Sequence, residues 1–251
     1  MMRRGLAFSI GFLATVGLAA AADDFHWSGK VASGGKVEVE NVNGGITATP
    51  SEGSQVEVVA VKKAGHKGDP ADVNIKVVES TGGVLICTVY GPVTSSQKCD
   101  SNSVKNNDTN VEYTIKVPTG VSFRAETVNG GVTAKGLSGA VDAETVNGGV
   151  HLEGTGSAKA ETVNGGIHVI LARMEGTEAL HFETVNGGIV VELPADARAS
   201  LNAETVNGSI QSDFPVAGKF GKHELKATIG GGGRDVKLET VNGSIEIRKK
   251  S

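Results

Sequence analysis

Aromatic side chains are scarce in this chain. One Trp, two Tyr and seven Phe make up 4% of 251 residues, too few for a conventional core built on large rings. Excess positive charge is also missing. Lys and Arg number 24 against 28 Asp and Glu, a net charge of −4, so nothing draws the chain to nucleic acid or to an anionic membrane surface. Cysteine occurs twice, at Cys87 and Cys99, without the Cys-x-x-Cys spacing of a redox pair. Helix signals are nearly absent; the one candidate, 171–175, reads better as an insertion between strands. No Gly-x-Ser-x-Gly occurs, and no nucleophile–base–acid set is visible. The glycines at 230–233 are followed by no Lys-Ser/Thr, which excludes a phosphate loop and leaves a turn feeding the last strand. No apolar run reaches 20 residues, which argues against a retained membrane span.

The first residues read as a leader. Met1-Met2-Arg3-Arg4 is a basic start, 5–18 is apolar, and four alanines at 19–22 supply small residues for cleavage before Asp23. This is the pattern of a secretory signal peptide over 1–22. No Cys follows the cleavage region, so lipoprotein anchoring is not expected. Without the leader, 229 residues remain, with 22 basic and 28 acidic side chains.

What is abundant is repetition. Glu-Thr-Val-Asn-Gly followed by Gly or Ser begins at Glu126, Glu144, Glu161, Glu183, Glu204 and Glu239. The steps are 18, 17, 22, 21 and 35 residues. A looser copy starts at Glu40. Alternating apolar pairs precede the phrase, such as Leu180 and Phe182, and others follow it, such as Ile189 and Val191. Each unit therefore holds two short strands. Short units of variable length predict an all-β fold: a β-solenoid, right-handed and parallel-β-helix-like, with each unit buried against its neighbours. Two-residue Asn-Gly hairpins in an antiparallel meander are the alternative. Stacking favours the coil, because Asn129, Asn147, Asn164, Asn186, Asn207 and Asn242 would then hydrogen-bond up the axis as an Asn ladder. In that coil the glycines would supply a positive φ at each corner.

Residues 23–120 read as a less regular β cap region, with strands near 36–40, 55–61, 73–78, 84–90 and 111–117, continuous with the repeats at 121–251. Cys87 and Cys99 are expected to pair in an exported chain, pinning a polar loop. The end of the chain, Ile245-Glu246-Ile247 followed by Arg248, Lys249 and Lys250, reads as a final edge strand protected by charge.

The Glu file needs an explanation, since stacked carboxylates about 4.8 Å apart repel. Two residues earlier stand Arg124, Asp142, Lys159, His181, Asn202 and Lys237, three of them firmly cationic. The plain reading is a solvated face that discourages edge association. The sharper one is a binding strip, with calcium as the ion that carboxylates suit; no calcium-loop spacing accompanies it. His151 and His168 each lie seven residues after a repeat Glu, and Glu153 lies two beyond His151. Together they form a three-ligand metal candidate of zinc type, set against two ordinary surface imidazoles.

The strand phrases ending Thr-Val-Asn-Gly-Gly/Ser-Ile/Val resemble a bacterial family of exported β-strand-repeat proteins labelled adhesins, a domain of unknown function. The segment from Ala227 to Ile245, with its four glycines, is similar to that family's C-terminal signature. Val111-Glu112-Tyr113-Thr114-Ile115-Lys116-Val117-Pro118 resembles its mid-domain strand. The resemblance implies an exported β-repeat fold and adhesion to a surface polymer or envelope protein. It supplies no catalytic residues and no cofactor, and it does not account for the cysteine pair or the 35-residue last unit.

Three functions follow. The first is a non-enzymatic adhesin-like protein, in the periplasm or at the cell surface, presenting a repetitive surface to a macromolecular partner. The second is a periplasmic structural or envelope-signalling protein with no outside ligand. The third is a carbohydrate-active β-helix enzyme, disfavoured because sugar sites need paired carboxylates with aromatic platforms.

Overall fold

The computed structural model describes residues 24–92, 99, 106–154, 156–174 and 176–250. The signal peptide expected over 1–22 lies outside the described residues. The first strands are β1 (Phe25–Lys30), β2 (Lys36–Glu40), β3 (Ile46–Pro50), β4 (Gln55–Lys63), β5 (Val73–Ser80), β6 (Gly83–Tyr90) and β7 (Asn110–Val117). The repeats supply β8 (Ser122–Asn129), β9 (Val132–Leu137), β10 (Val141–Asn147), β11 (Val150–Gly154), β12 (Ala158–Asn164), β13 (Ile167–Leu171), β14 (Leu180–Asn186) and β15 (Ile189–Leu193). The last are β16 (Ala199–Asn207), β17 (Ile210–Ser212), β18 (Ala217–Phe220), β19 (Glu224–Ile229), β20 (Arg234–Asn242) and β21 (Ile245–Lys249). One 3-10 turn, Pro70–Asp72, precedes β5.

Each repeat phrase turns the chain from one sheet into another. The strand ending in Asn belongs to an 11-stranded sheet, ordered β18-β19-β16-β20-β14-β12-β10-β8-β2-β6-β5. The strand after the glycines belongs to a 10-stranded sheet, ordered β1-β4-β7-β3-β9-β11-β13-β15-β21-β17. The two halves of a unit are not hydrogen-bonded to each other, so the phrase is a corner of a coil and not a hairpin. Repeats pair in parallel and in phrase register: Glu126 faces Glu144, which faces Glu161, and Asn129 faces Asn147. The solenoid expected from the repeats is thus the observed architecture.

Inward side chains stack into files. Ile46, Val132, Val150, Ile167, Ile189, Ile245 and Ile210 are successive partners in the 10-stranded sheet, and all are buried. Opposite them run Ala125, Ala143, Ala160, Phe182, Leu238 and Ala203. Small residues in one wall and β-branched residues in the other fill a thin core without many rings.

Two expectations are corrected. The first concerns the end of the chain. β20 and β21 are not an edge; they lie between β14/β15 and β16/β17. The chain makes β16/β17, folds back through the β18–β19 hairpin, and inserts its last unit one place inward. The second concerns the glycines. Only Gly44 among the first glycines of the phrases has a positive φ, +120°. At the other six the requirement is space: a Cβ on Gly130, Gly148, Gly165, Gly187, Gly243 or Gly208 would stand 1.9–2.1 Å from the carbonyl oxygen of the glycine below. The phrase valine Val185 shares the outward parity of the Glu and is exposed.

The region before residue 120 shares the coil. β2/β3 and β6/β7 form two further units of the stack, flanked by antiparallel β1, β4 and β5. Cys87 and Cys99 form a disulfide, with Cα atoms 5.7 Å apart.

Candidate functional site

Every residue of the phrase has a separate task. The Thr points inward and its hydroxyl donates to the glycine carbonyl of the neighbouring corner. Thr127 bonds Gly44, Thr145 bonds Gly130, Thr162 bonds Gly148 and Thr184 bonds Gly165, at 2.8–3.0 Å. Thr240 and Thr205 continue the series to Gly187 and Gly243. In the looser copy Asn41 stands at the Thr position and donates to Gly44 and Val111 carbonyls.

The Asn forms an unbroken ladder. Asn207 donates to Asn242, Asn242 to Asn186, and so on through Asn164, Asn147 and Asn129 to Asn43, at 2.8–3.0 Å. Asn242 precedes Asn207 in the stack because of the inserted unit. Asn43 in turn donates to the Tyr90 hydroxyl at 3.2 Å, and that hydroxyl donates to the Thr109 carbonyl. Seven amides all point one way, and a tyrosine terminates them.

The Glu and Val face outward from the 11-stranded sheet as two adjacent files. Each repeat Glu is engaged from the side away from the valines. Arg124 contacts Glu126 and Asp142 and lies 3.2 Å from Glu144 and 3.4 Å from Glu38. Lys159 bridges Glu144 at 3.2 Å and Glu161 at 2.9 Å. His181 lies 3.8 Å from Glu161 and 3.4 Å from Glu183. Lys237 bonds Glu239 at 2.6 Å, and Lys226 lies 3.4 Å from Glu204. Burial opposes the charge on Arg124, but the hydrogen bond to Glu126 and the charges of Asp142, Glu126 and Glu144 prevail and raise its pKa. The pKa of Lys159 is raised chiefly by its hydrogen bond to Glu161. The cationic residues foreseen two positions before the Glu therefore relieve the carboxylate repulsion.

Beside this zipper runs a groove of about 550 Å³. Glu40, Glu126, Glu144, Glu161 and Glu183 line it together with Val42, Val128, Val146, Val163 and Val185, and among the described residues no Lys, Arg or His does. The Cys87–Cys99 bridge lies at one end. Beyond Glu183 the same face continues as a second hollow of about 640 Å³, where Glu204, Glu239, Val206 and Val241 meet His223 and Lys226. Val146, Val163, Val185, Val206 and Val241 of this file are exposed, from 36% at Val185 to 65% at Val206, whereas Val128 is half-buried and Val42 is buried. The sequence signal for it was parity: Val lies two residues after Glu and shares its face.

A family profile described as Toastrack DUF4097 matches residues 30–248. The chain belongs to the Toastrack DUF4097 family. Among solved structures this Toastrack chain is similar to a candidate cell adhesion protein from Clostridium sporogenes, at 14% identity and a TM-score of 0.50, over 91% of this chain and all of the other. It is also similar to a candidate adhesin from Bacteroides fragilis, 12% identical with a TM-score of 0.32, over 91% of this chain and 97% of the other. At these identities the first likeness speaks for the fold alone. Comparison with curated proteins gives no match.

The remaining candidate residues of this Toastrack protein lie on the 10-stranded sheet. His151 and His168 are stacked partners with ring centroids 5.0 Å apart. His168 Nε2 lies 2.8 Å from Glu192, and His151 Nε2 is buried without a partner. Burial, then the neighbouring His168 and Lys135, lower the His151 pKa. Among the described residues, the trio whose ligand atoms lie within 4.8 Å of one another is Glu161, His181 and Glu183, not His151, His168 and Glu153.

Proposed function

We propose that this chain is a non-enzymatic, exported, adhesin-like protein that binds a macromolecular partner along the groove between its glutamate and valine files. The observation that carries this reading is the composition of that groove: five carboxylates and five valines in register, with no cationic residue among the described residues that line it. Soluble monomers seldom leave an ordered apolar file at the surface without a use for it. Repeating one weak contact along a rigid axis turns small affinities into a large one. Location in the periplasm or at the cell surface belongs to the same proposal.

The test is replacement of Glu126, Glu144 and Glu161 by Gln, followed by capture of partners from an envelope extract on immobilised protein. A captured component that is lost with the triple substitution supports the groove. Undiminished capture removes it as the contact face.

The ion pairing of Glu126, Glu144, Glu161, Glu204 and Glu239 favours a second reading, an envelope scaffold without an outside ligand. Surface labelling of intact cells separates the two, since a protein shielded from the label cannot serve adhesion.

A further inference from the structure

The chemistry of the groove specifies its occupant, and this step rests on the contact face proposed above. Arg124, Lys159 and His181 stand two residues before their glutamates, on the side away from the valines. The valine-facing sides of the Glu126, Glu144, Glu161 and Glu183 carboxylates are therefore left to a ligand. The two files lie two residues apart on the same strands, about 7 Å. A ligand that satisfies both must carry basic groups along one flank and apolar groups along the adjacent one.

We propose that the occupant is a cationic amphipathic α-helix from a protein partner, lying along the solenoid axis. Its apolar stripe would rest on Val128, Val146, Val163 and Val185, and its Lys or Arg flank would face the glutamates. Periodicity decides between helix and strand. Units of the stack recur about every 4.8 Å, and a helix advances about 5.4 Å per turn. The mismatch is about 0.6 Å per unit, so helical side chains stay near their partners over four units. Side chains on one face of an extended peptide recur about every 6.8 Å and fall out of step after the first unit. Four units span about 14 Å, which corresponds to about 10 helical residues. A carbohydrate fits less well, since among the described residues no aromatic one lines the groove and sugar faces stack on rings.

The test is fluorescence anisotropy on the full exported chain with three labelled probes. One is a Lys/Leu amphipathic helix of about 14 residues. The second is the same peptide with Leu replaced by Ser, of equal charge. The third is an aminated polysaccharide of similar charge density. The expected result is binding of the Lys/Leu helix at least about tenfold tighter than of the other two. Val146→Ser with Val163→Ser, and separately Glu144→Gln with Glu161→Gln, should each weaken it by about tenfold. Both pairs are at least partly exposed, and unchanged circular dichroism and denaturation midpoints establish that the variants are folded. Equal binding of the Ser peptide or of the polysaccharide, or full affinity in the valine variant, overturns the helical occupant. Failure of the Lys/Leu helix alongside Glu-dependent capture of an envelope component overturns the helix and leaves the contact face. Loss of both overturns the two together.

Discussion

Consecutive glycines at one corner provide a sharp test of the stacking, because they differ in what lies beneath them. A Cβ on Gly165 would stand 1.9 Å from the Gly148 carbonyl oxygen, whereas one on Gly166 would stand 3.4 Å from that of Gly188. The first distance is inside any real contact, and the second is ordinary packing. Gly165→Ala must therefore push its corner away from the one below by about 1.5 Å, the shift from 1.9 to 3.4 Å. Three hydrogen bonds hold those corners: Gly148 N–H to Asn164 O at 3.0 Å, Thr162 Oγ1 to Gly148 O at 2.9 Å, and Asn164 Nδ2 to Asn147 Oδ1 at 2.9 Å. None survives such a displacement. At about 1 kcal/mol net each, the loss is about 3 kcal/mol. Gly166→Ala breaks nothing and gains about 0.4–1 kcal/mol from a less flexible unfolded chain.

The sequence already carries part of this experiment. The second glycine is Ser at Ser209 and Ser244, while the first is Gly in every copy. Urea denaturation of the two alanine variants should place Gly165→Ala about 3.4–4 kcal/mol below Gly166→Ala. Equal stabilities would refute direct carbonyl-on-glycine stacking, and with it the physical reason for the phrase.

Other perturbations probe the core, the bridge and the histidine pair. Ile167→Ala empties one place in the buried file from Ile46 to Ile210 and should cost about 2–5 kcal/mol, read by the shift in urea midpoint. Replacing Cys87 and Cys99 by Ser opens a loop of 12 residues and should cost about 2–3 kcal/mol, again by denaturation under oxidising conditions. His151 has its pKa lowered from 6.5 by burial and by His168. A depressed folded pKa means stability that is full above 6.5 and lost as pH falls through the folded value. Midpoints measured from pH 8 to pH 5 should therefore fall on the acid side, and His151→Gln should flatten that part of the profile.

Much of this was legible because the repeat is so regular. Identical phrases announce identical neighbours, so the Asn ladder and the facing Glu file follow from the sequence once the coil is chosen. Parity marks Thr184 as inward and Val185 as outward, since each shares a face with Phe182 or Glu183. What was less legible is why the phrase needs its first glycine. Positive φ is the familiar reason for glycine, but Gly165 meets a backbone from a different unit, and such a contact leaves no local signal. Likewise His151 and His168 are as close as their equal offsets require, yet Glu192, from the next unit, takes the place given to Glu153.

The order of the last two units shows where repetition itself hides information. β14, β16 and β20 carry the same phrase, so any two of them can pair in register, as Glu183 with Glu239 and Glu239 with Glu204 do. Phrase energetics cannot choose between stacking β20 outside β16 or inside it. The choice is made by the residues that differ. β19 pairs antiparallel with β16 from Ala199–Ile229 to Glu204–Glu224, which occupies the outer edge of β16 and leaves only its inner edge for β20. The glycines at 230–233 carry the chain across: Gly230, Gly231 and Gly232 adopt positive φ, and a Cβ on Gly233 would stand 2.5 Å from the Arg198 carbonyl oxygen. The 35-residue last step thus encodes a hairpin that blocks one edge and a turn lean enough to pass over β16. The insertion of β20 and β21 follows from those two features, and the repeat phrase then closes around them without distinguishing a neighbour in sequence from a neighbour in space.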